Sequence, residues 1–162
     1  MKGYDRLLDV VIRLRNDNLL KDASFKIYGD GPLMDTLKKK IIDNKMEDYF
    51  KLMGYTDNPY ECINGADMFI LPSIFEPFGI VIVEAMTLGV PVLATSNSAT
   101  GELIKSGYNG LIVDNSDEGL YEGLKKVITD RSLIDKFKDN LIKYDYDKEN
   151  DKILKQLYEL FR

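Results

Sequence analysis

The segment 73–86 constrains the fold more than any other part of this chain. The apolar run 68–71 leads into it, Pro77-Phe78-Gly79 interrupts it, and a helical pattern of apolar residues follows. Glu76 and Glu84 lie eight positions apart, one before this turn and one inside the helix. This order predicts a strand, a tight loop and a helix N-terminus, whose free N–H groups and positive dipole end favour phosphate. The two carboxylates can accept hydrogen bonds from hydroxyl groups.

Strand and helix patterns alternate along the rest of the chain. Apolar residues at helical spacing predict helices at 4–16, 32–41, 59–64, 79–88, 117–129, 131–142 and 147–161. Short apolar runs predict strands at 24–28, 49–53, 68–71, 91–95 and 109–113. The alternation predicts an α/β fold, a Rossmann-like doubly wound parallel sheet with helices on both faces. The run 68–71, apolar throughout, is expected to be a central strand, and the loops after the strands are expected to share one edge.

The sheet is expected to lack its first strand. A doubly wound domain normally begins with a strand, which lies in the middle of the sheet, whereas the pattern here begins with a helix. Losing that strand leaves unpaired backbone groups in the interior, which is costly. We therefore expect a fragment of a longer protein with an empty strand slot beside 24–28, filled by a neighbouring chain or closed by rearrangement.

Composition excludes several classes of function. A chain of 162 residues is one domain by length, and a net charge of −5 argues against nucleic-acid binding. The absence of histidine removes histidine general bases, Ser-His-Asp triads and most zinc sites. Cys62 is the only cysteine, so there is no internal disulfide and a reducing compartment is expected. No apolar run approaches the ~18 residues of a membrane span.

Five stretches together resemble one family. The most distinctive is 73–86, and the others are Lys2-Gly3-Tyr4-Asp5, Tyr28-Gly29-Asp30-Gly31-Pro32, Leu52-Met53-Gly54-Tyr55 and 144–148 followed by Leu157-Tyr158. They resemble the C-terminal, donor-binding domain of the retaining glycosyltransferases of family 4, which have the GT-B fold. The resemblance covers nearly the whole chain, with the N-terminal acceptor domain absent. It implies binding of a nucleoside diphosphate sugar as the donor substrate, with no cofactor and no metal.

The resemblance implies roles for the two glutamates. Glu84 lies five residues into the predicted helix, about 7.5 Å along it, so it would stand near a ribose attached to a phosphate at the helix start. A carboxylate suits a cis-diol because it accepts two donors. Glu76 would contact the transferred sugar and is the candidate catalytic residue. The alternatives are a solvated helix glutamate for Glu84 and a carboxylate that stabilises the helix dipole for Glu76.

Other donor contacts are also implied. Phe78, Gly79 and Ile80 would present backbone N–H groups to the diphosphate or the sugar, although Phe78 would equally suit core packing. Gly54 and Tyr55 would border the nucleobase, or form a plain turn after a strand. Lys2 would neutralise the diphosphate leaving group. The arginine that accompanies this lysine in the family is absent here, so that charge stabilisation would be incomplete.

These expectations define a retaining hexosyltransferase of bacterial type, cytoplasmic and peripheral at the inner membrane face, acting on surface polysaccharide or glycolipid. The fragment alone is expected to transfer little, and to self-associate through the strand slot or the helix 147–161. Asp145-Tyr146-Asp147 is interpreted as the cap of that helix rather than a metal site. Two alternatives stay open: a nucleotide-sugar epimerase of the same fold, and a non-catalytic nucleotide-sugar-binding or assembly module.

Overall fold

The structure is a computed structural model that describes residues 2–142. Its helices are α1 (Tyr4–Asn16), α2 (Met34–Asp43), α3 (Pro59–Ile63), α4 (Ile80–Thr87), α5 (Thr100–Leu103), α6 (Asp117–Thr129) and α7 (Ser132–Ile142). Its strands are β1 (Phe25–Tyr28), β2 (Phe50–Gly54), β3 (Phe69–Leu71), β4 (Val92–Thr95) and β5 (Gly110–Val113). The predicted helix at 147–161 and the segment Asp145-Tyr146-Asp147 lie outside the described residues.

All strand pairs are parallel, and the strands form two sheets. One sheet has the order β1-β2, with Phe25 opposite Phe50, and the other has the order β3-β4-β5, with Leu71 opposite Ala94. The predicted α/β class with parallel strands is therefore confirmed, but the sheet is divided. Within residues 2–142, β1 and β3 each keep one edge without a strand partner, as expected for a slot beside β1.

Helices cover both faces of the three-stranded sheet because its side chains alternate between two cores. Leu93 packs in a first core with Leu8 of α1 and Leu120 of α6. Val92 and its neighbour two positions on, Ala94, pack instead with Ile82 of α4 in a second core. This period of two is the geometry of a strand covered on both sides. The first core also contains Phe25 and Ile27 of β1, so it joins the two sheets.

The most buried strand is β4, not the strand that the sequence favoured. All four residues of β4 are buried, whereas only Leu71 of β3 is buried and Phe69 and Ile70 are partly exposed. The expectation that 68–71 is a central strand was therefore wrong within the described residues. The reason is that one edge of β3 has no strand beside it.

Helix α1 begins against the end of β3. Gly3 caps it with φ 72°, and a Cβ on Gly3 would lie 2.1 Å from the carbonyl oxygen of Pro72. Only glycine permits this approach, because other residues carry a Cβ and rarely adopt positive φ. The buried face of α1 includes the predicted Leu7 and Leu14. The packing of Gly3 therefore fixes Lys2 at the carboxyl end of β3.

Two local features differ from the predictions. The sequence did not indicate α5, a helix of four residues. Pro32 was expected in the first turn of α2, but α2 begins at Met34 and the turn before it closes with Met34 N–H donating to Gly31 O. In the part of the chain that is described, no helix has the length and apolar character needed to cross a bilayer.

Candidate functional site

The loop 72–79 connects β3 to α4, and we call it the signature loop. Pro72, Ser73 and Glu76 are buried in it, while Phe75 and Phe78 are exposed. It ends at Gly79, which has φ 66° and caps α4. The backbone angle at Gly79 favours glycine, and an added Cβ would lie 2.8 Å from Leu103 Cδ1, so the leucine side chain would have to shift.

Side chains from several elements hold the carbonyl groups of the signature loop. The Thr95 hydroxyl donates to Ser73 O at 2.6 Å, and the Ser98 hydroxyl donates to Glu76 O at 3.4 Å. Two further carbonyls of the loop accept from Arg6 and Asn115. These bonds fix the loop on its inner side. Ser98, in the loop after β4, therefore helps to support the signature loop.

Glu76 lies inside the site and is paired. It is only 7% exposed, and its Oε2 accepts from Lys2 Nζ at 3.0 Å and from the Ser73 hydroxyl at 3.4 Å. Lys2 is 57% exposed at its side chain, so its ammonium reaches the carboxylate from the solvent side. The structure thus brings together Lys2 and Glu76, two residues that the sequence assigned to different parts of a ligand.

Tyr4 lies close enough to this pair to be affected by both charges. Burial raises the pKa of the Tyr4 hydroxyl, the Lys2 ammonium lowers that pKa, and the Glu76 carboxylate raises it. Because burial is the largest of these causes, the phenol is neutral at physiological pH. Tyr4, which packs against the first core, therefore adds no charge beside the ion pair.

The N-terminus of α4 offers backbone donors. No side chain caps it, and no acidic residue lies in its first turn. The first N–H groups of a helix have no partner within the helix and carry its positive dipole end. Phe78 and Ile80, which flank Gly79, are 77% and 66% exposed, so their side chains leave the core and border this terminus. The arrangement suits an anion.

Glu84 lies further along α4 and is half-buried. Its Oε1 accepts from the hydroxyl of Tyr60 on α3 at 3.3 Å. The second carboxylate oxygen leaves acceptor capacity for another donor. Sequence reasoning did not identify Tyr60 as a partner of Glu84.

Gly54 and Tyr55 lie at the carboxyl end of β2, in the two-stranded sheet. Gly54 has φ 78°, and its carbonyl accepts from Gly29 N–H at 2.7 Å, so the loops after β1 and β2 meet here. Tyr55 is 77% exposed and presents its ring to solvent. These two predicted site residues therefore lie on the two-stranded sheet, whereas the signature loop follows a strand of the three-stranded sheet.

Sequence reasoning missed Arg6, Thr95 and Asn115. These side chains bond to main-chain carbonyl oxygens, which every residue type has, so the bonds leave no motif in the sequence of the loop. The one available signal was position, because Thr95 is the last residue of β4 and Asn115 lies two residues after β5. The carboxyl ends of these parallel strands share an edge with the signature loop. Among residues 2–142, no group of three or more acidic, cysteine or histidine side chains is arranged to hold a metal.

Comparison with known families identifies the chain. The sequence pattern of the family described as glycosyl transferases group 1 matches residues 1–147. The chain belongs to this family. The structural neighbours of this chain are GT-B glycosyltransferases, and they share its architecture of parallel strands flanked by helices.

Two curated proteins illustrate the relationship of this group 1 chain to its family. The lipopolysaccharide core biosynthesis glycosyltransferase LpsE of Rhizobium meliloti is 31% identical over 133 residues, which cover 82% of this chain and 37% of LpsE. The UDP-Gal:alpha-D-GlcNAc-diphosphoundecaprenol alpha-1,3-galactosyltransferase of Escherichia coli is 29% identical over 119 residues, covering 72% of this chain and 31% of that enzyme. The group 1 chain thus spans about a third of the length of these relatives.

Solved structures match the group 1 chain over nearly all of its length. The crystal structure of TarM is 25% identical with a TM-score of 0.78, and the match covers 95% of this chain and 32% of TarM. A variant of S. aureus TarM solved with UDP is 26% identical, with a TM-score of 0.76 and the same coverage. Anabaena HepE in complex with UDP, 24% identical with a TM-score of 0.77 over 98% of this chain and 45% of HepE, shows the shared fold.

Proposed function

We propose that this chain is the C-terminal, donor-binding domain of a retaining glycosyltransferase of family 4. It binds a nucleoside diphosphate sugar, whose hexose is transferred to a hydroxyl acceptor. The observation that carries the proposal is the signature loop at the start of α4. Side chains from α1, β4 and the loops after β4 and β5 fix its carbonyls, while the helix N-terminus has no side-chain cap.

The diphosphate is assigned to the α4 N-terminus. The N–H groups of Phe78, Gly79 and Ile80 are the proposed donors, because an anion at a helix N-terminus meets unpaired N–H groups and the positive dipole end. Lys2 supplies the cationic partner from the solvent side, where 57% of its side chain is exposed. Lys2 and the dipole together would stabilise the charge that develops on the departing nucleotide.

The two glutamates are assigned to the sugars. Glu84 follows Gly79 by five residues, about 7.5 Å of helical rise, which suits a ribose attached to a phosphate at the helix start. Glu76, buried behind Lys2, is assigned to hydroxyls of the transferred hexose. The acceptor hydroxyl would attack the hexose on the same face as the departing phosphate, with assistance from that phosphate. This would retain the stereochemistry of the sugar without a protein nucleophile.

The nucleobase is assigned to Gly54 and Tyr55 at the end of β2, where the exposed Tyr55 ring offers a stacking surface. Uracil is the first candidate base. The support is that the S. aureus TarM variant was solved with UDP and that the related Escherichia coli galactosyltransferase is named for UDP-Gal.

The acceptor is assigned to a second domain outside this chain. The match covers only 37% of LpsE, and β1 and β3 each have a free edge within residues 2–142. Gly3 touches Pro72, so a strand preceding Lys2 would end beside β3 and run parallel to it. The whole enzyme is proposed to act at the cytoplasmic face of the inner membrane. Its proposed role is the synthesis of lipopolysaccharide or another surface polysaccharide, because the related LpsE is named for lipopolysaccharide core biosynthesis.

Calorimetric titration of the chain with UDP, GDP, ADP and their sugar conjugates tests the donor assignment. We expect one nucleotide to bind, and Glu84→Ala to weaken its binding at least about tenfold, ~1.4 kcal/mol. The matched control is Glu122→Ala, which removes an exposed glutamate on α6 far along the chain from the site and should leave affinity unchanged.

Two results would contradict the proposal in different ways. Nucleotide binding that survives replacement of both Glu76 and Glu84 would favour a non-catalytic binding module. Failure of every nucleotide to bind a folded chain would point either to the unfilled strand slot or to a wrong donor assignment. Repeating the titration on a longer form that includes the preceding residues separates these two, because a filled slot should restore binding only in the first case.

A further inference from the structure

Arg6 holds the start of the signature loop from α1. Its guanidinium is nearly buried, with 12% of the side chain exposed. One terminal nitrogen donates to the carbonyl oxygen of Pro72 at 3.2 Å, and the other donates to Asn115 Oδ1 at 2.9 Å. Arg6 therefore bonds at once to the loop after β3 and to the loop after β5.

Asn115 completes the connection. Its Nδ2 donates to the carbonyl oxygen of Ile74 at 2.9 Å, two residues beyond the carbonyl that Arg6 holds. The Asn115 side chain thus accepts from Arg6 through its oxygen and donates to the loop through its nitrogen. The two side chains form one hydrogen-bonded bridge that ends on Pro72 and Ile74.

The bridge requires these two residue types. A guanidinium has a rigid planar fork that can direct two N–H donors at two separate acceptors, whereas the lysine ammonium is a point charge on a flexible stem. Asp117 Oδ1 lies 3.6 Å from Arg6 Nε and balances part of its charge. That nitrogen is buried without a hydrogen-bond partner, so burial of Arg6 has a cost that the two strong contacts must offset.

We propose that Arg6 and Asn115 are positioning residues that hold the signature loop for a nucleoside diphosphate. The bridge fixes Pro72 and Ile74, and these flank Ser73, whose hydroxyl bonds to Glu76. Displacing this half of the loop would move the Glu76 carboxylate. The inference rests on the proposed donor function only for the identity of the ligand.

Helix α1 makes a second link, to α6, that serves as a control. Arg13 of α1 forms a bidentate pair with Glu118 of α6 and lies over the Tyr121 ring at 3.7 Å. This link ties α1 to α6 without touching the signature loop. Replacing Arg13 therefore weakens the attachment of α1 to α6 while leaving the bridge intact.

The test measures amide hydrogen exchange in the free chain and UDP affinity for Arg6→Lys, Asn115→Ala and Arg13→Ala. Asn115 is exposed, so Asn115→Ala should fold even if an Arg6 variant does not. We expect exchange of the amides at 73–76 to rise at least about tenfold in the first two variants. UDP affinity should fall by about fivefold or more in both, and Arg13→Ala should change neither quantity.

The bridge predicts non-additive effects. The double variant Arg6→Lys/Asn115→Ala should weaken UDP binding by about as much as the worse single variant, because both act through one unit. Unchanged loop exchange in both single variants would overturn the proposal, as would an equal rise in Arg13→Ala. Faster loop exchange with full UDP affinity would overturn the positioning role as well.

The donor assignment fails separately. If the unaltered chain and its longer form bind no nucleoside diphosphate, while Arg6→Lys still raises exchange at 73–76, the proposed function is wrong and the positioning of the loop stands. Measuring exchange without ligand makes this distinction, because it depends only on contacts seen in the free protein.

Discussion

Lys2 Nζ lies 3.0 Å from Glu76 Oε2, although the two residues are 74 positions apart. The carboxylate side chain is 10% exposed and the lysine side chain is 57% exposed, so the pair closes the site from its solvent side. In the free protein each residue thus satisfies the charge of the other. A ligand that engages either one must share or replace this contact.

Glu76→Gln should separate recognition of the nucleotide from recognition of the sugar. The amide keeps the shape of the carboxylate and removes a negative charge beside the proposed phosphate site, which leaves Lys2 free for the phosphate. We expect UDP alone to bind as tightly as before or severalfold tighter. The extra affinity of a UDP-sugar over UDP should fall by about tenfold, ~1.4 kcal/mol. Titration with both ligands measures this, and an intact sugar advantage would remove Glu76 from the sugar site.

Gly79→Ala should be more destabilising than Gly89→Ala. Both glycines lie at the ends of α4 with similar positive φ values, 66° and 73°, which cost an alanine about 1–2 kcal/mol. A Cβ at Gly89 meets nothing within 4 Å, whereas one at Gly79 meets Leu103 and Ala99 at 2.8 and 3.2 Å. We expect the free energy of unfolding, measured by chemical denaturation, to fall by at least ~1 kcal/mol more in Gly79→Ala than in Gly89→Ala. Equal losses would mean that Leu103 moves aside freely.

Tyr60→Phe should have little effect, in contrast with Glu84→Ala. The Tyr60 hydroxyl donates to Glu84 Oε1 at 3.3 Å on an exposed part of the surface, so its loss should change stability by about 0.5 kcal/mol or less. We expect UDP affinity to stay within about threefold of that of the unaltered chain, because both carboxylate oxygens of Glu84 remain available as acceptors. An effect as large as that of Glu84→Ala would show that the tyrosine itself binds the nucleotide.

The Arg13–Glu118 pair should lose its stabilising effect in acid. The hydrogen bond from Arg13 lowers the pKa of Glu118 below its ordinary value of 4.5. A carboxyl whose pKa is lower in the folded state stabilises the fold at pH values above 4.5, and this contribution is lost as the pH falls through the folded-state value. The melting temperatures of the unaltered chain and Glu118→Gln should therefore differ at neutral pH and converge below pH 4.5. A pH-independent difference would contradict the pairing.

The sequence predicted the elements that have a local pattern and missed what depends on distant partners. The apolar spacing of α1 and α6 located both helices, since their buried faces repeat every three to four residues. In contrast, α5 has only four residues, too few for any period to appear. β3 was judged central from its composition, although its exposure depends on whether a strand lies beside it.

The candidate site divides in the same way. Glu76, Gly79 and Glu84 were identified because they share one short segment with a recognisable order of strand, turn and helix. Lys2 was identified as well, but its contact with Glu76 was not. Tyr60, which donates to Glu84, and Arg6, which holds the signature loop, were missed because both reach the site from other helices. Side chains that bond to carbonyl oxygens impose no pattern on the residues they hold.

The division of the sheet bears on how cooperatively the chain unfolds. No strand-to-strand hydrogen bond joins β1–β2 to β3–β5 within residues 2–142, so α1 and the shared first core must transmit stability between them. Such regions can open as separate cooperative units. A small anion held only at the signature loop would protect the three-stranded unit directly and β1–β2 only through α1 and the shared core, whereas a nucleotide that also contacts Tyr55 would protect both units. Filling the strand slot would join both units into one, converting two opening events into a single global transition.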